Sequence, residues 1–169
     1  MITYRRRPRI VRAARKSFYA LYNPFKLMYW RIVRPRTSGV KVLVFNQEGK
    51  LLLTRIGYMH RLWVIPGGAI DARETPKAAA VREVFEETGI QLQRVRHVFS
   101  YYHEKQYKKD TIEYFEAFSD EVNFTIDDEE IIDIGWFALD DLPVNRTQRV
   151  DEAIERYEST CRAESDAVY

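Results

Sequence analysis

The sequence predicts an α+β sandwich. Strand-like and helix-like segments are mixed along the chain without a regular βαβ alternation, which disfavours a doubly wound parallel sheet. Two segments carry helix signals, one bounded by a cap and a stop, the other by an apolar stripe. The length of 169 residues suits one domain with an appendage. With 46% hydrophobic and 31% charged residues, the chain can bury a core and is not of disordered composition.

The first strand signal is Val40–Phe45, dominated by β-branched and apolar residues, after a break at Arg34–Gly39. Asn46–Gly49 reads as a turn and Leu51–Arg55 as the returning strand of a hairpin. Thr75-Pro76 predicts a helix start, with threonine as cap and proline in the first turn. Gly89 predicts its end, where positive φ is common. Further strands are expected at Val95–Tyr102, at Thr111–Phe118, where Ile112 and Tyr114 share one face, and at Asp133–Leu139. From Thr147 the chain reads as a terminal helix, with Val150, Ile154 and Tyr157 on one stripe.

Charge divides the chain. Residues 1–36 carry eleven Lys or Arg and no Asp or Glu, whereas the rest holds sixteen basic against twenty-five acidic groups. We therefore divide it into a basic, aromatic-rich extension at 1–38, a domain at 39–162 and a short tail at 163–169. The single cysteine, Cys161, allows no internal disulfide and no multi-thiolate zinc site. No stretch is apolar enough to span a bilayer and the start lacks a signal-peptide core, so the expected location is cytoplasmic.

The chemistry concentrates between Gly67 and Ile90. Glu83, Glu86 and Glu87 are spaced i, i+3, i+4 and share a helix face. Three like charges there repel one another, unless a hard cation such as Mg²⁺ or Mn²⁺ lies between them. A plain solvated acidic face is the alternative. Pro66-Gly67-Gly68 precedes the cluster, and glycines let backbone approach a ligand closely. Arg82 and Glu74 stand at fixed distances, available to orient it.

These residues spell G-x5-E-x7-R-E-U-x-E-E-x-G-U, with U apolar, filled by Gly68, Glu74, Arg82, Glu83, Val84, Glu86, Glu87, Gly89 and Ile90. The pattern resembles the box of the Nudix hydrolases. Leu62–Gly68 is similar to that family's strand and turn into the box, and Trp136–Pro143 to its last strand. The resemblance covers about residues 39–158. It implies an α/β/α sandwich with a mixed sheet and metal-dependent cleavage of a nucleoside diphosphate linked to another group. It further implies that the Gly67 carbonyl, Glu83, Glu86 and Glu87 hold Mg²⁺ or Mn²⁺, with Glu130 as a candidate further ligand. Glu83 or a carboxylate on a later loop would be general base. Arg82 and Glu74 would support the cluster.

Substrate signals are weaker. Tyr58, Tyr101 and Phe115 are candidates for stacking on a base. Tyr107, seventeen residues after Ile90, matches a tyrosine of family members that cleave dinucleoside polyphosphates. The leading expected substrate is a nucleoside triphosphate or similar small nucleotide. The alternatives are a dinucleoside polyphosphate, an RNA 5′ end, or a non-catalytic nucleotide- or protein-binding domain. In residues 1–36, Arg15, Lys16, Lys26 and Arg31 interleave with aromatic rings. That mixture suits an anionic membrane surface, RNA, or packing on the domain or on a second copy in a homodimer.

Overall fold

The computed structural model describes residues 3–6, 36–57, 61–105, 108–126 and 131–166. The strands are β1 (Thr3–Arg6), β2 (Arg36–Phe45), β3 (Leu51–Ile56), β4 (Trp63–Val64), β5 (Arg96–Lys105), β6 (Lys108–Phe118), β7 (Asn123–Ile126) and β8 (Ile131–Phe137). The helices are α1 (Pro76–Thr88) and α2 (Gln148–Asp166). The main sheet is mixed, in the order β4-β3-β2-β6-β5, with β8 also paired to β3. β2 runs parallel to β6 over its whole length, β5 antiparallel to β6, and β3 antiparallel to β8.

Strand alternation explains why the core has two halves. Val40, Val42 and Val44 face α1 together with Leu52, Phe115, Ala117, Phe124 and Ile126. Leu43, Phe45, Leu51, Leu53 and Tyr114 face α2 and its Val150, Ala153 and Ile154. Tyr157 completes the α2 stripe, its ring 5.1 Å from that of Phe45. The sheet is thus sandwiched between two helices.

Helix α1 buries small residues, Ala79, Ala80, Val84 and Thr88, and therefore lies close to the sheet. Its ends are those the sequence predicts. The Thr75 side chain accepts from Ala78 N, Pro76 begins the helix, and Gly89 adopts φ +79°. Gly89 also approaches the β7 backbone so closely that an added Cβ would stand 3.0 Å from Thr125 N.

Several boundaries differ from the sequence expectation. β2 begins at Arg36, four residues before Val40, because β6 pairs with it from Lys109 onward. The first residues of the extension are not free of the domain, since β1 runs parallel to β7. Helix α2 continues past 162 to Asp166, and Arg96 pairs with Glu164 in its last turns. Most of the basic extension, with Arg15, Lys16, Lys26 and Arg31, lies outside the described residues. Among the described residues no helix is long and apolar enough to cross a membrane.

Candidate active site

Residues 66–70 run along the edge of β2 and carry the turn into the site. Val42 N donates to Pro66 O at 3.0 Å, Val40 N to Gly68 O at 2.9 Å, and Ile70 N to Ser38 O at 3.1 Å. Gly67, at φ +129°, has its backbone against Val40, where a Cβ would overlap the Val40 carbonyl oxygen. At Gly68 a Cβ would fall 2.5 Å from the Glu83 carboxylate. The two glycines thus let α1 bring its carboxylates onto the turn.

Two of the three box carboxylates meet there. Glu87 accepts from Gly67 N and from the buried Thr54 hydroxyl, both at 3.4 Å. Burial raises its pKa to about 7, and the neighbouring charge of Glu83 adds to that rise. Burial also raises the pKa of Glu83, against the opposing pull of Arg82. Glu86 points outward, its side chain 56% exposed, and pairs with Arg82 at 3.1 Å.

Arg82 organises this face. Its Nε and Nη2 grip the two oxygens of Glu74, each at 2.8 Å, and Nη2 also reaches Ala69 O at 3.0 Å. Its Nη1 donates to Glu83 at 2.9 Å. The hydrogen bond from Arg82, with help from Asp71 N, holds Glu74 down to about 2. Glu74 is therefore an ionised anchor for the arginine.

The donor set is a backbone carbonyl and carboxylates, all oxygen, which suits a hard divalent cation. The raised pKa values of Glu83 and Glu87 are what such a cation would relieve. Among the described residues no three His, Cys, Asp or Glu side chains converge, and Glu86 is paired with Arg82 on the exposed face of α1.

The other sequence candidates fall elsewhere. Phe115 is 4% exposed, packed in the core and edge-on to His97, so its ring has no free face for a base. The β6 register that places Tyr114 under α2 places Phe115 under α1 instead. Tyr101 is half-buried on the α2 side of the sheet, with the Arg156 guanidinium 4.8 Å from its ring. Tyr58, Tyr107 and Glu130 lie outside the described residues. Two site residues escape the motif. Thr54 touches Glu87, and Lys41 donates to Ile65 O at 2.7 Å and Gly67 O at 2.6 Å. The signal for Lys41 is its position as the one charge within Val40–Phe45.

The site is thus a two-helix sandwich in which α1 brings Glu83 and Glu87 onto the Gly67-Gly68 turn. The family model described as NUDIX domain matches residues 35–158. The chain belongs to the Nudix hydrolase family. Among curated relatives, it is 27% identical over 135 residues to an NAD-capped RNA hydrolase, NudC, of Salmonella heidelberg, an alignment covering 78% of this chain and 52% of that protein. The chain thus spans about half the length of this relative. It is 38% identical over 72 residues to a CMP-5′-(N-acetyl-N-hydroxy-3-aminopropyl)phosphonate hydrolase of Streptomyces rubellomurinus, covering 39% and 34% of the two chains. Among solved structures, it is similar to a MutT Nudix hydrolase of Burkholderia pseudomallei, with TM-score 0.65, 26% identity, and 72% and 98% coverage. A UDP-X diphosphatase shares the fold, with TM-score 0.66, 22% identity, and 88% and 71% coverage.

Proposed function

We propose that this chain hydrolyses a phosphoanhydride in a nucleoside diphosphate-linked substrate, with a nucleoside triphosphate or similar small nucleotide as the leading substrate. The observation that carries this reading is the seating of Glu87 and Glu83 on the Gly67-Gly68 turn, where burial has raised both pKa values. Two desolvated carboxylates held together cost stability unless they serve a cation. The Gly67 carbonyl, Glu83, Glu87 and, from its outward position, Glu86 would hold Mg²⁺ or Mn²⁺. Such an ion neutralises pyrophosphate charge and lowers the pKa of an attacking water. Arg82, anchored by Glu74, holds Glu83 in place and keeps α1 in register with the turn through Ala69 O. Glu83 is the general-base candidate among the described residues.

A second reading, an RNA 5′ end or a dinucleoside polyphosphate, draws on the acid-free basic stretch at 1–36 and on the printed activity of the Salmonella relative. A panel of nucleoside triphosphates, nucleotide sugars, dinucleoside polyphosphates and 5′-capped or triphosphorylated RNA, assayed for phosphate and pyrophosphate release with Mg²⁺ and with Mn²⁺, tests both. Turnover of triphosphates alone supports the first reading. Preference for RNA, lost on replacing Arg15, Lys16, Lys26 and Arg31 with glutamine, supports the second. No turnover on the whole panel, with nucleotide still bound, indicates a binding domain.

A further inference from the structure

Lys41 is a cation built into the turn. It stands in β2 between Val40 and Val42, which are buried under α1, so its side chain leaves by the opposite face of the strand. There the ammonium donates to two backbone carbonyls, Ile65 O at 2.7 Å and Gly67 O at 2.6 Å. An ammonium has three donors and no acceptor, so two of the three are committed to this loop. Burial lowers its pKa, and the charges of Glu87 and Glu83 oppose that fall. Glu87 meets the Gly67 peptide at its N–H while Lys41 meets it at its carbonyl.

The Gly67 carbonyl is also the backbone oxygen that the proposed function assigns to a divalent ion. We propose that Lys41 is a resident counter-cation that competes with the divalent metal for the Gly67 carbonyl and for the charge of Glu83 and Glu87. The inference rests on the metal-dependent reading above. If Lys41 stays in place, ammonium and metal share one oxygen as like charges a few ångströms apart, a repulsion worth roughly tenfold or more in affinity. If it withdraws, a buried ammonium gives up two hydrogen bonds. In either case the metal pays for the lysine, and the site holds metal weakly until substrate brings further oxygen ligands. Metal and nucleotide then arrive together, so the free protein does not sequester the ion.

The test is Mn²⁺ binding to the full chain without nucleotide, read from the free-ion paramagnetic resonance signal and from the thermal midpoint. Wild type is compared with Lys41→Met, Lys41→Gln and Glu87→Gln. Both lysine variants are expected to bind Mn²⁺ roughly tenfold tighter than wild type, and to gain more thermal stability from it. Lys41→Gln keeps an N–H donor for the carbonyls without the charge, so it serves if Lys41→Met does not fold. Unchanged or weaker binding in the lysine variants, with Glu87→Gln weaker than wild type, overturns the role of Lys41 and leaves the metal reading intact. No Mn²⁺ binding by wild type or either lysine variant overturns both.

Discussion

Two arginine-centred networks stand on opposite sides of this sheet, and their carboxylates behave in opposite ways. On the α2 side, Arg96 Nε donates to Glu116 at 2.6 Å and Tyr157 donates to the same carboxylate at 2.8 Å. These bonds hold the Glu116 pKa below its ordinary value despite burial. On the α1 side, Arg82 is equally well bonded, yet Glu87 lies beyond its reach and rises to about 7. The first network is closed, because donors match the buried negative charge. The second leaves Glu83 and Glu87 only partly compensated beside a backbone turn, with Lys41 as the cation that faces them. Closure serves stability, whereas a deficit of positive charge leaves a place for a cation.

The largest expected effect breaks the open network at its centre. Glu87→Gln keeps the size and the contacts to Gly67 N and Thr54 but removes the charge. Hydrolysis should fall on the order of 10³-fold in kcat, with the fold intact by circular dichroism. Retained activity would mean that Glu87 belongs to packing alone.

The same residue makes a pH prediction for the metal-free protein. Its folded pKa, about 7, stands above the ordinary 4.5, so the native state binds this proton more tightly than the unfolded chain does. Stability from this group is therefore present below pH 4.5 and is lost as pH rises through 7, by about 3 kcal/mol. Wild type and Glu87→Gln, unfolded in urea with a chelator from pH 4.5 to 8, should diverge by that order, with the variant the more stable at pH 8. Parallel curves would show that Glu87 carries no such strain.

Arg82→Lys sharpens the comparison from the other partner. A lysine cannot hold both oxygens of Glu74 while reaching Glu83, Glu86 and Ala69 O. The expected loss in kcat is about 10–100-fold, with a smaller change in thermal midpoint. A loss of stability with kcat unchanged would place Arg82 with Arg96, as a structural clamp.

How far the sequence carries this contrast depends on range. The capped helix and its box are local signals, and Thr75, Pro76 and Gly89 act as the sequence predicts. The pairing of β1 with β7 was not legible, because a four-residue parallel match between positions 3–6 and 123–126 has no local signature. Arg36–Gly39 reads as a break from composition, yet the long parallel partner β6 draws it into β2. Phe115 shows the limit for aromatics, since core and stacking roles ask for the same residue and only register separates them. Lys41 was visible as a charge in an apolar strand, but its carbonyl partners lie more than twenty residues away.

The smallest expected effect tests the closed network. Arg96→Gln leaves the nearly buried Glu116 with Tyr157 alone. The exposed contact from Arg96 to Glu164 contributes little, so the cost comes from Glu116, about 1–2 kcal/mol near neutral pH. Because the fold lowers the Glu116 pKa, this contribution is present above about 4.5 and fades as pH falls through the folded value. The stability gap between wild type and Arg96→Gln should therefore narrow on acidification, while the Glu87 gap closes over the higher range between 7 and 4.5. Turnover at neutral pH should not change, since Arg96 touches neither the Gly67 turn nor α1. If Arg96→Gln lowers kcat as Arg82→Lys does, the two faces of the sheet are coupled, and the division between a closed structural network and an open cation-seeking one is wrong.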